Sequence, residues 1–147
     1  MESVQRVRKT DLARHTHQVI SAVQRGRPAL IESHGQPEAA IIDIIDYRIL
    51  RAVMRYYAQP PQVAVADGLA DQVLAQLSDL QARYDVALAH YLAGAISLAR
   101  AAELLELPWL DLRTRCLQLD VPLRPAPADL GEARADVASA VAWAAQP

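Results

Sequence analysis

Apolar positions in this 147-residue chain follow two rhythms, one of strands and one of helices. Val4 to Val7 alternates apolar and polar, the period of a half-buried strand. From there the spacing lengthens. Leu12, Thr16, Val19, Ile20 and Val23 fall on one helical face. Thr10 is placed to cap that helix, Asp11 lies in its first turn, and Gly26 with Pro28 end it. Ala29–Ser33 and Glu38–Ile44 read as strands on either side of His34-Gly35-Gln36-Pro37, where Gly35 is free to take a positive φ. Asp46 then caps a second helix whose Ile49, Leu50, Val53, Met54 and Tyr57 share a face. The order is β-α-β-β-α. A core this small is marginal alone and its sheet has open edges, so dimerisation is expected.

The pattern then becomes wholly helical. Residues 58–68, including QPPQVAVADG, read as a linker. Residues 69–124 predict an all-α module: a long helix from Leu69 to Leu92, broken at Gly94, and two short helices. The first short helix is capped by Ser97 and runs to Leu105; the second begins near Pro108 and ends about Leu119. Their lengths and the short turn between them have helix-turn-helix proportions. In the tail, 125–147, Leu130, Val137, Val141 and Ala144 recur at helical spacing. An isolated helix of that length is marginal in water and is stabilised by docking. The fold class is α+β: a small β-α-β-β-α module, an all-α helix-turn-helix-like module and a helical tail.

Composition sharpens this picture at three points. Hydrophobic residues make up 52% with no Phe, so a core is within reach and must be largely aliphatic. Residues 1–57 carry a net charge of +3 and residues 58–147 one of −5, which puts a basic surface at one end and a different partner at the other. Cys116 is the only cysteine, which excludes an intrachain disulfide and fits a reducing compartment. With no eighteen-residue apolar run and no signal-peptide core in MESVQRVRKTD, the expected location is the cytoplasm, with no membrane partner.

One segment resembles a known family. VRKTDLARHTHQVISAVQRGRPALIESHGQPEAAIIDIIDYRILRAV places Leu12 at the helix opening, Val23 and Gly26 near its end, Gly35 and Pro37 after a strand, and Asp46-Tyr47 at the next helix. That order is similar to the Phd/YefM type of antitoxin, across about residues 1–57. The family's charged turn before the glycine is here Ser33-His34-Gly35, which weakens any phosphate contact at that turn. A second resemblance covers about residues 87–125. Ser97, Ala101-Ala102, Leu105 and the closing Leu119-Asp-Val-Pro-Leu123 look like small helix-turn-helix-like proteins taken to be antitoxins of PIN-domain ribonucleases. Together they imply an antitoxin of a type II toxin–antitoxin system. Such a protein binds operator DNA as a homodimer to repress its own transcription, and neutralises a partner toxin, with a PIN-like ribonuclease the first choice. The alternative is a stand-alone dimeric transcriptional regulator without a toxin.

Candidate sites follow from the charges. Arg6, Arg8, Lys9, Thr10 and Arg14 gather four cations within nine residues around a strand end and a helix start, suited to phosphate and to guanine edges. Arg25 and Arg27 read as ordinary surface residues. A second DNA-reading surface would use Arg113 and Arg115, with Trp109, Thr114 and Gln118. Residues 58–124 carry five basic and eight acidic side chains, which favours protein binding or packing there instead. Leu130, Val137, Val141 and Trp143 are the toxin-binding candidates, with intrachain packing as the competing role. His15 and His17 lie two apart on a helix, on different sides, and His34 and His90 have no evident partner, so no metal is expected. Glu38, Asp43 and Asp46 do not form a catalytic set, since Asp46 caps and Asp43 falls on the solvent face. No cofactor motif or nucleophile elbow occurs, and the chain reads as non-catalytic.

Overall fold

A computed structural model describes residues 4–59 and 78–123. They fall into two compact units that divide between Tyr47 and Arg48. The molecule is mixed α+β, with one three-stranded sheet and six helices among the described residues. No helix among these residues is long and apolar enough to cross a membrane.

In the first unit the sheet order is β1 (Gln5–Arg8), β2 (Ala29–Ser33), β3 (Gln36–Ile41). β1 runs parallel to β2, with Val7 opposite Ile31, and β2 pairs antiparallel with β3. Parallel neighbours require a crossover, which α1 (Lys9–Leu12) and α2 (Thr16–Gln24) provide. The core is Val19, Val23, Ala29 and Ile31, with Val7, Leu12 and Ile41 packed against it. Gln5 ties the start of β1 to the end of the crossover: its Nε2 donates to the Arg27 carbonyl at 2.9 Å.

The single helix expected from Thr10 is interrupted, and Thr10 lies inside α1 rather than capping it. At the break the Thr16 hydroxyl donates to the Leu12 carbonyl at 2.7 Å, while the His15 amide reaches the same carbonyl at 3.3 Å. A side-chain donor thus takes the place of the backbone donor that would have continued the helix. As a result Thr16 and Ile20 are exposed, and only the Val19–Val23 part of the expected stripe is fully buried.

The hairpin turn is also tighter than the expected four-residue turn. His34 and Gly35 alone form it, with φ of 53° and 75°, the two-residue loop with both angles positive that matches strand twist. Gln36 and Pro37 belong to β3, opposite Ser33 and Glu32. Pro37 is tolerated because β3 is an edge strand. The register slips between Ile31 and Glu32, so Glu38 has no partner in β2. β3 ends at Ile41, short of the expected Ile44.

α3 (Ile44–Ala58) crosses into the second unit. Its cap is Asp43, not Asp46: the Ile45 amide donates to Asp43 Oδ1 at 2.8 Å. Asp43 was expected on the solvent face of a strand; because β3 stops earlier, it is placed at the helix start instead. Asp46 lies in the first turn, where its charge suits the helix dipole. The buried face comprises Ile49, Ala52 and Val53, while Met54 and Tyr57 are exposed. The apolar residues of α3 occupy two adjacent stripes, and the one carrying the small Ala52 is turned inward.

The second unit continues with α4 (Leu80–Leu92), α5 (Leu98–Leu104) and α6 (Trp109–Gln118). α4 begins at Leu80, where Asp79 caps it, accepting from the Gln81 amide at 3.1 Å; residues 69–77 of the longer helix expected there lie outside the described residues. Ser97 caps α5 as expected, accepting from the Arg100 amide at 3.0 Å. Tyr84, Leu88, Tyr91, Leu104, Leu112 and Cys116 are buried. Each fully buried large aliphatic side chain contributes roughly 1.5–3 kcal/mol. Residues 60–68 of the expected linker and the tail, with Leu130, Val137, Val141 and Trp143, lie outside the described residues, while Ala58 closes α3.

Candidate nucleic-acid interface

Alternation along β1 sets the geometry of the basic cluster. Gln5 and Val7 turn to the helical side, which leaves Arg6 and Arg8 exposed on the other. Their side chains are 75% and 79% exposed. Lys9 and Thr10 follow in α1, and Arg14 lies in the break before α2; all three are exposed. The five residues therefore come from one continuous stretch at the corner where β1 passes into the crossover.

Three of the four cations already meet a carboxylate. Arg6 Nη1 lies 3.4 Å from Glu32 Oε1, a diagonal contact, since the parallel register sets Glu32 opposite Arg8 and Arg6 opposite Leu30. Arg8 Nε donates to Asp11 Oδ2 at 2.9 Å, and Lys9 Nζ lies 3.3 Å from Glu38 Oε2 on the bulge. Arg14 has no ion pair among the described residues. Exposed pairs of this kind are worth about 0.2–1 kcal/mol, so a phosphate diester competes with each carboxylate at small cost. The acidic partners reduce the local field without closing the surface.

The helix start adds less than its position in the sequence implies. α1 is a single turn, and no side chain caps it. Asp11 already occupies the favourable acidic position in that turn. The anion-binding capacity of the corner therefore rests on its side chains.

On α6 the second group of candidates is divided. Arg113 and Thr114 are exposed, Trp109 is half-buried and Gln118 is exposed. Arg115 is 18% exposed and its Nε donates to Asp111, 3.1 Å and 3.2 Å from the two oxygens. Leu110 and Leu117 flank Arg113 on the outer face and are 62% and 49% exposed. That face offers more apolar area than free positive charge, which suits a protein partner better than phosphate.

The histidines are scattered. His15, His17 and His34 are exposed, and His90 is half-buried with Nδ1 2.8 Å from the Val86 carbonyl. No group of three or more His, Cys, Asp or Glu is placed to hold a metal among the described residues. Glu38 faces Lys9 and Asp43 caps α3, so the acidic residues have structural occupations. The sequence pattern did not indicate the carboxylates beside Arg6 and Lys9, because both reach the corner through strand register. Compared with known proteins, the chain matches no family model, no curated protein and no solved structure.

Proposed function

We propose that this chain is a DNA-binding repressor that acts as a dimer and serves as the antitoxin of a toxin–antitoxin pair. The observation that carries the DNA half is the outward pairing of Arg6 and Arg8 on an edge strand, continued by Lys9 and Arg14. Two copies of that corner would present a doubled basic surface and read a palindromic operator. The small core of the first unit gives a physical reason for pairing. The resemblance of residues 1–57 to Phd/YefM antitoxins supports the repressor reading. The exposed Leu110 and Leu117 of α6 and the amphipathic pattern of the tail support a protein partner, with a PIN-like ribonuclease the first candidate.

A gel shift on the DNA upstream of the gene tests the first half. Specific retardation by the wild-type chain, lost in the Arg6→Ala/Arg8→Ala double variant, is the expected outcome. Equal retardation by both chains would place the contact elsewhere. Co-expression with the product of the adjacent gene tests the second half: a stable complex is expected. Operator binding without such a complex would leave a plain regulator.

A further inference from the structure

α3 and α4 enclose a half-open cleft of about 270 Å³ within the second unit. Its floor consists of small apolar side chains, Ala52 from α3 and Ala82, Val86 and Ala89 from α4. Ala52 and Ala89 are buried, and their short side chains leave space between the two helices. Tyr56 supplies an aromatic wall.

The rim is polar and held in place. Asp85 Oδ1 accepts from Gln81 Nε2 at 2.9 Å, and the same amide donates to the Arg48 carbonyl at 3.1 Å, tying α4 to α3. Asp85 Oδ2 lies 3.4 Å from Arg55 Nη1. Asp85 is thus occupied on both oxygens and is only 14% exposed, while Arg55 is 72% exposed and has further donors to offer. At the other end His90 Nδ1 lies 2.8 Å from the Val86 carbonyl. A carbonyl only accepts, so the contact assigns a proton to Nδ1 and, in the uncharged tautomer, leaves Nε2 as an acceptor. His90 follows Asp85 by five positions on α4, a rise of about 7.5 Å.

We propose that this cleft binds a small aromatic carboxylate carrying a hydroxyl or ring N–H at its far end. The ring lies on the alanine floor beside Tyr56, the carboxylate takes the free donors of Arg55, and the far donor meets His90 Nε2. The volume suits one or two rings, just below the usual range of ligand pockets. The inference is independent of the antitoxin reading, since no residue of the basic corner takes part.

Titration of the full chain with 4-hydroxybenzoate and with benzoate, followed by protein NMR and calorimetry, tests it. Saturable binding of 4-hydroxybenzoate is expected, with shifts centred on Ala52, Tyr56, Ala82 and Ala89. Arg55→Gln should weaken it about tenfold or more, the loss of one charge-assisted contact. Benzoate, lacking the far donor, should bind more weakly, and His90→Phe should remove that difference. Ala82→Leu should fill the cleft and abolish binding. Absence of saturable binding at millimolar ligand would overturn the proposal. So would affinity unchanged by Arg55→Gln, a substitution at an exposed side chain that leaves the fold intact.

Discussion

Four of the described helices stop in the same way, and the residues at those stops differ in how well they suit the task. α2, α4, α5 and α6 each end with a paired 6→1 and 5→2 hydrogen bond, as in Leu107 N to the Ala102 carbonyl at 2.9 Å and Glu106 N to the Glu103 carbonyl at 3.1 Å. The residue between must be left-handed. Gly26 and Gly94 adopt φ of 96° and 83° without strain, but Glu106 and Asp120 sit at 57° and 56° with a side chain attached. A left-handed L-residue costs about 1–2 kcal/mol, and glycine returns part of that as chain entropy. Glu106→Gly and Asp120→Gly should therefore each raise stability by about 0.5–1 kcal/mol, read as a higher midpoint in denaturant. Gly94→Ala should lower it by about 1 kcal/mol through strain alone, because a Cβ there meets nothing within 4 Å. At the opposite end of α5, Ser97→Ala should cost about 1 kcal/mol by orphaning the Arg100 amide. The Ser97 cap and the Gly94 stop were legible in the chain. The ends of α5 at Leu105 and of α6 at Leu119 were legible as well, but the left-handed backbone of the residue after each was not, because Glu106 and Asp120 stand where a glycine is the usual signal.

At the scale of elements, periodicity located most helices and strands but left their limits and faces open. The β2–β3 hairpin was readable from His34-Gly35, yet its turn closes over two residues, which moves Pro37 into a strand. The break between α1 and α2 depends on one hydroxyl, Thr16, competing for a carbonyl, and no apolar rhythm records that. Arg6 and Arg8 share a face by simple alternation, so the basic corner was visible from the start. Their neighbours were not: Glu32, in register with Arg8, meets Arg6 diagonally across the β1–β2 pair, and Glu38 meets Lys9 from the bulge in β3. These carboxylates give the proposed interface a distinctive signature. Glu32→Gln should tighten operator binding a few-fold, on the order of 0.5–1 kcal/mol, by releasing Arg6. Arg6→Ala should weaken it and reduce the slope of affinity against salt by about one counterion. Fluorescence anisotropy across a salt series distinguishes the two. The α3–α4 cleft was invisible in sequence for a related reason. Alanines thirty positions apart look like good helix formers, and only packing shows that they leave a gap.

For the whole molecule, the proposed division of labour assigns DNA to the first unit and a protein partner to residues beyond it. Removal of residues 125–147 should leave gel-shift activity intact and abolish toxin neutralisation in a growth assay. Retained neutralisation would move the partner site to the outer face of α6. If the chain is a dimer, its thermal midpoint should rise with protein concentration, and a midpoint constant over a hundredfold range of concentration would speak against it. The way β3 is built also limits how copies can meet. Pro37 lacks an amide hydrogen, and the bulge at Glu38 twists the backbone out of line, so the outer rim of β3 is a poor template for another strand. Copies therefore have little scope to join by extending the sheet from β3, and that edge has little tendency to seed cross-β fibrils while newly made chains are crowded and unpartnered. Loss of that protection, as in Pro37→Val, should appear first as thioflavin-positive aggregation, before any fall in the stability of the molecules that remain in solution.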